Sequence, residues 1–145
     1  MRLYLDTSAL VKLYVEEEGS AAARGAVEGA ELIATSAVAY VEARAAFVRR
    51  RHEGWLRARD YRRVVRDLDT DWDRYLVVEV RESLIREGAR LAETHRLKAY
   101  DAIHLASASV VYRRLGAPFV FASWDLALER AAKREGLEAL GARKA

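Results

Sequence analysis

Cysteine is absent from this 145-residue chain, which removes both a disulfide framework and any thiolate metal site. Such a chain suits a reducing cytoplasm. Histidine is scarce as well. There are three, His52, His95 and His104, and none coincides with the acids singled out below, which disfavours zinc. Lysine is nearly missing: of 25 basic residues, four are Lys and 21 are Arg. Arginine suits bidentate phosphate contacts. The same bias accompanies thermophiles and GC-rich genomes, and the net charge is only +3, so composition alone selects no partner. No apolar run reaches the roughly 20 residues that a membrane helix needs. The most apolar stretches, 32–41 and 102–111, are shorter and broken by polar residues. Met1–Leu5 is too short for the apolar core of a secretion signal, and Asp6 follows at once, so the expectation is a protein that stays in the cytoplasm. No linker, repeat or low-complexity tract divides the chain, and residues 1–145 are read as a single domain.

What is present is an alternation of short apolar runs with helical periodicity. Strands are expected over 2–5, 32–35, 76–80, 119–122 and, more briefly, 137–140. Helices are expected over 9–15, 20–28, 37–52, 55–66, 82–96, 100–115 and 124–135. Ser20 and Ser36 read as caps, and Val38, Val41, Ala45 and Val48 recur at helical spacing. The 76–80 run reads as a parallel strand covered on both faces. Residues 141–145 read as a frayed tail. Alternating strands and helices predict an α/β fold with a mostly parallel sheet.

Acids sit where such a sheet binds ligands, beyond the carboxyl ends of its strands. Asp6 directly follows the first strand. Asp125 follows the fourth after a short turn and opens a helix. Asp101 stands in the first turn of the most apolar helix. Glu42 lies mid-helix after the second strand, with apolar Val38 and Ala45 at i−4 and i+3. Asp6, Asp101 and Asp125 could each merely serve a helix N-terminus, but Glu42 has no capping role. Converging carboxylates repel one another, and a hard divalent cation such as Mg²⁺ is the usual remedy.

At these positions the sequence resembles a known family. Arg2-Leu-Tyr-Leu-Asp6-Thr7-Ser8-Ala9-Leu10 is similar to the opening of a PIN domain, in particular the VapC toxins of prokaryotic toxin–antitoxin pairs. Ala39-Tyr-Val-Glu42-Ala43 resembles the family's central glutamate motif, Tyr100-Asp101-Ala-Ile-His104-Leu-Ala106 its helix start, and Phe119-Val-Phe-Ala-Ser123-Trp-Asp125-Leu126 its final acidic motif. Ser123 stands where the family more often has Thr. The resemblance runs end to end. It implies a Rossmann-type three-layer sandwich with a central sheet of four or five strands and about seven helices. It also implies a metal-dependent endoribonuclease (hydrolase), inhibited by a cognate antitoxin protein and often a homodimer. Asp6, Glu42, Asp101 and Asp125 would then be both catalytic residues and ligands of one or two Mg²⁺ ions, with Mn²⁺ able to substitute, and metal-bound water would attack RNA in line. Thr7 and Ser123 would orient those ligands. His104 could do the same, although a histidine on an apolar helix is more often a satisfied core residue.

Residues 44–66 hold nine arginines against Glu53 and Asp60, a surplus of seven. This hairpin, with Arg50, Arg59, Arg62 and Arg63 foremost and Trp55 and Tyr61 for stacking, reads equally as an RNA or antitoxin surface and as a solvated face. Asp67, Asp69, Asp71 and Asp73 superficially resemble a calcium loop. Trp72 and Val78 stand where that loop needs Gly and Glu, so they read as a solvated turn. Three rivals remain open. An aspartyl phosphatase would want a second Asp where Ser8 stands. A non-catalytic nucleic-acid module would be expected to lose acids, and all four are here. A housekeeping PIN-type RNA-processing nuclease is not separable from a toxin by sequence.

Overall fold

The fold is known from a computed structural model that describes residues 1–142. Five strands form one parallel sheet: β1 (Arg2–Leu5), β2 (Leu32–Ser36), β3 (Leu76–Val78), β4 (Phe119–Ser123) and β5 (Glu138–Gly141). Their order is β3-β2-β1-β4-β5, and every pairing is parallel. The chain therefore steps outward from β1 to one edge, returns, and steps to the other. The reversal falls between β1 and β4, where Leu5 registers with Ala122.

Seven helices connect these strands among the described residues: α1 (Thr7–Val11), α2 (Ser20–Glu28), α3 (Val38–His52), α4 (Ala58–Trp72), α5 (Glu82–His95), α6 (Ala99–Leu115) and α7 (Leu126–Arg134). They cover both faces of the sheet. Side chains alternate along a strand, so β1 feeds two cores. Tyr4 joins Leu84, Leu91, Leu105, Phe121 and Leu128 beneath α5, α6 and α7. Leu3 and Leu5 join Leu10, Phe47, Val64 and Leu68 beneath α1, α3 and α4. The three-layer α/β sandwich expected from the sequence is the fold observed.

Several boundaries differ from the expected ones, each for a local reason. α1 stops at Val11, and the chain turns before Val15. Ser36 ends β2, yet its hydroxyl still accepts the Val38 N–H. α4 starts later and runs to Trp72, so Asp67, Asp69 and Asp71 are helical rather than in a turn, while Asp67 and Asp69 stay exposed and Asp73 lies in the exposed turn that follows. Asp71 accepts a hydrogen bond from Tyr14 at 2.9 Å, and Asp69 accepts one from Tyr40. Trp72 packs edge-on against Tyr40 and Tyr75, tying the helix end to α3 and to the turn before β3. β3 ends at Val78 and lies at the sheet edge with Leu76 exposed, so it is not covered on both faces. Gly141 closes β5 rather than opening a tail; residues 143–145 lie outside the described residues.

Of the apolar residues at helical spacing in α3, Val38 is half-buried and the rest are turned outward. Val41 is 63% exposed, and Ala45 and Val48 also face solvent. The buried stripe is Ala39, Ala43 and Phe47. Small alanines let α3 approach α1 and β2 closely, and that contact decides which face is inside.

Candidate active site

The sheet's carboxyl edge gathers the acids because β1 and β4 end side by side. The Asp6 N–H donates to the Ala122 carbonyl at 3.1 Å, continuing the β1–β4 ladder by one step. Asp6 is buried and caps α1. Its Oδ1 accepts the Ala9 N–H at 2.9 Å and the Ser8 hydroxyl at 2.7 Å, and its Oδ2 accepts the Ser123 hydroxyl at 2.6 Å. Burial raises its carboxyl above the ordinary range. The attraction of His104 and the donated hydrogen bonds work against that rise.

Asp125 is the N-cap of α7, and its Oδ1 accepts the Leu128 N–H at 3.0 Å. Asp101 stands in the first turn of α6, half-buried, with no hydrogen-bond donor to its carboxylate among the described residues. Its pKa is pushed up to about 6, first by burial and then by the negative charges of Asp125, Asp6 and Glu42. The N-terminal ends of α1, α6 and α7 thus meet near one place, and their positive dipole ends offset part of this repulsion.

Glu42 reaches the same place from α3. Its Oε1 accepts the Thr7 hydroxyl at 2.6 Å and lies 2.8 Å from His104 Nε2. Burial would raise its carboxyl, but the hydrogen bonds from His104 and Thr7 outweigh that and hold it below the usual range. Thr7 and Ser123 therefore each donate to an acid, Glu42 and Asp6 respectively.

Sequence reading missed part of this site. Tyr4, in an apolar strand, signals nothing but core, yet its hydroxyl lies 2.9 Å from His104 Nδ1. The Ser8 hydroxyl, besides donating to Asp6, accepts the Trp124 N–H at 2.9 Å and so links the two strand ends. Lys12 is buried, 2.9 Å from Glu17 and with Nζ 5.2 Å from the centre of the Trp124 ring.

The arginines are less uniform than their run suggests. Arg50 is committed to Glu17, on the loop between α1 and α2. Arg63 pairs with Asp60 at 3.0 Å, and Arg59 lies 4.0 Å from the same carboxylate. Arg62 has no ion pair among the described residues. Tyr61 lies under the Arg51 guanidinium at 5.3 Å, whereas Trp55 is 74% exposed. α4 runs on into its aspartates, so over residues 44–73 nine arginines meet six acids, and the local surplus is smaller than the 44–66 window implies.

Among the described residues no three acids or histidines stand at metal-ligating separation. The donor set is nonetheless all carboxylate oxygen, and burial together with the neighbouring acids pushes the Asp101 carboxyl up to about 6. That chemistry suits a hard cation that keeps several of its waters, rather than one that demands a closed protein cage.

A parallel sheet with an acid cluster at its topological switch point defines a small α/β domain of the Rossmann type. The PIN domain family model matches residues 3–134, nearly the whole chain, and the chain belongs to that family. It is similar to the ribonuclease VapC45 of Mycobacterium tuberculosis, with 34% identity over 135 residues, 92% of this chain and 91% of that one. Among solved structures it shares its fold with FitAcB of Neisseria gonorrhoeae, at TM-score 0.65, 16% identity, and 96% of each chain covered. It also shares it with a chain of a toxin–antitoxin complex from Klebsiella pneumoniae, at TM-score 0.59, 17% identity, covering 85% of this chain and 86% of that one.

Proposed function

We propose that this protein is a metal-dependent endoribonuclease, the toxin of a toxin–antitoxin pair, acting in the cytoplasm as one domain. Asp6, Glu42, Asp101 and Asp125 form its catalytic centre. The observation that carries the reading is the placement of the acids: Asp6 ends β1 and caps α1, Asp125 follows β4 and caps α7, Asp101 opens α6, and Glu42 of α3 accepts the hydroxyl of Thr7, the residue after Asp6. The other three act on Asp101 at once, in a chain whose curated relative is named a ribonuclease. The Klebsiella pneumoniae complex, which contains a chain of the same fold, supports a protein antitoxin as partner.

A divalent ion bound among these acids would supply water acidity and charge neutralisation for phosphodiester hydrolysis, Mg²⁺ first and Mn²⁺ as a substitute. Asp6 and Asp101 are its main ligands in this reading, with Glu42 and Asp125 completing the set directly or through water. The chain's own groups do the rest. Ser123 and Ser8 hold the Asp6 carboxylate in one orientation. Thr7 does so for Glu42. Buried Asp6 has a scaffold role as the α1 cap, which fixes its position before any ligand arrives. RNA would approach past the exposed arginines of α4, and Arg62 is the one to test first. A homodimer is the assembly expected of the family.

The test is cleavage of RNA by purified wild type, Asp6→Asn and Asp101→Asn, each with its circular dichroism spectrum compared, with Mg²⁺ and with chelator. The two variants and the chelated wild type should lose at least about 10²-fold in rate, comparable to the loss of a single key electrostatic group. Wild-type rates in either folded variant would refute the assignment.

A further inference from the structure

β1 and α6 each bury a polar ring that the proposed chemistry leaves unused. Tyr4 is fully buried at the centre of the sheet, and His104 is 1% exposed, one turn after Asp101. They pack edge-on with ring centres 6.0 Å apart, and their polar atoms meet at 2.9 Å. On the far side of the imidazole, Nε2 stands 2.8 Å from Glu42 Oε1 and 3.1 Å from Thr7 Oγ1. Thus β1, α1, α3 and α6 each give one residue to a hydrogen-bonded line that runs from the core to the acid pocket.

Chemistry places the protons along it. A glutamate carboxylate can only accept, so Nε2 carries a hydrogen whatever the charge on the ring. In the neutral ring Nδ1 is then the acceptor, and the Tyr4 O–H supplies the donor it needs. The Thr7 hydroxyl donates to the same Glu42 Oε1. Oε1 is therefore occupied twice, while no donor among the described residues reaches Oε2. Apolar side chains could fill the space of Tyr4 and His104 without any such demand, and a buried polar line left half-satisfied is costly. The line is complete, and it ends on a carboxylate at the site.

We propose that Tyr4 and His104 are positioning residues, a relay that fixes the Glu42 carboxylate so that Oε2 is presented to a divalent cation while neither residue touches the ion or the RNA. This rests on the metal-nuclease reading above. The relay commits Glu42 to one rotamer before the cation arrives, so its loss should appear as weaker cation binding in the protein alone.

Two amides separate this role from plain packing. His104→Gln can place an N–H where Nε2 stood and restore the bond to Glu42. His104→Asn reaches only the Nδ1 position, keeping the side toward Tyr4 and losing Glu42. Mn²⁺ binding is read by calorimetry on the full chain without RNA, with the melting temperature of the metal-free protein as control. His104→Gln should bind Mn²⁺ within about 3-fold of wild type, and His104→Asn about 10-fold or more weakly, in keeping with the cost of losing such outer support. Tyr4→Phe removes a single hydroxyl and carries the comparison if His104→Asn does not fold; it leaves Nδ1 without its donor and frees the ring to take the Nδ1–H tautomer, a change the amide of His104→Gln cannot undergo, and it should weaken binding several-fold. Independently of any metal, long-range ¹H–¹⁵N NMR should show the neutral His104 ring as the Nε2–H tautomer. Equal loss of affinity in both amides, wild-type affinity in His104→Asn or Tyr4→Phe, or an Nδ1–H tautomer overturns the relay alone. A wild-type protein that takes up no Mn²⁺ overturns the metal-nuclease reading, and the relay with it.

Discussion

Asp101 is the residue at which folding and function pull in opposite directions. Its carboxyl titrates near 6 in the folded protein, above the value of about 4 expected in an unfolded chain. The folded state therefore binds the proton more tightly, and stability falls as pH rises from about 4 to about 6. In metal-free protein, Asp101→Asn should raise the melting temperature at pH 7 and above, and the gain should vanish near pH 4. Thermal melts across that range check this, and a variant less stable than wild type at pH 8 would contradict it. Added Mg²⁺ should reverse the ranking at pH 8. Asp6 is the complementary case, since its hydrogen bonds satisfy it in place. Ser123→Ala leaves Oδ2 without the donor seen at 2.6 Å. Denaturant titration should show a loss of about 1–3 kcal/mol. Asp6 and Asp125 were legible in the sequence because strand ends and helix starts are local signals. The line from Tyr4 through His104 to Glu42 was not, since it joins residues 62 and 100 positions apart, and no periodicity reports such a contact.

Among the elements, α3 and α4 teach most about what a pattern can hide. Valine is more apolar than alanine, and the helical spacing of Val38, Val41, Ala45 and Val48 was the pattern the sequence offered for α3. Close packing chose Ala39, Ala43 and Phe47 instead. Phe47→Ala should cost about 3–5 kcal/mol, whereas Val41→Ala should stay within about 0.5 kcal/mol of wild type. Equal costs at the two positions, read by denaturant unfolding, would place α3 the other way round. α4 shows the opposite lesson. Its basic first half was plain, but its acidic second half read as a turn because aspartates disfavour helix interiors. Tyr14, Tyr40 and Trp72 hold that half in place through tertiary contacts. Reversing charge at Arg62 and Arg63 together should weaken RNA binding and lower the slope of log affinity against log salt by about one for each phosphate no longer neutralised. An unchanged slope would remove α4 from the RNA surface.

The whole molecule brings its acids together through strand order. β1 lies between β2 and β4, so the loops after these strands open on one edge, and α6 delivers Asp101 there from the other core. Alternating strands and helices made this layered fold readable from sequence. The edge position of β3 was not readable, because an apolar strand looks the same at the margin of a sheet as at its centre. No helix among the described residues is long and apolar enough to cross a membrane. The central claim is that side chains from four elements meet around a bound divalent cation. Crystals soaked in Mn²⁺ and measured for anomalous scattering test it most directly. The account predicts a peak bounded by Asp6 and Asp101, with Glu42 and Asp125 around it, and none at that place in Asp6→Asn. Manganese bound elsewhere on the wild-type molecule, with those two carboxylates left apart, would contradict it.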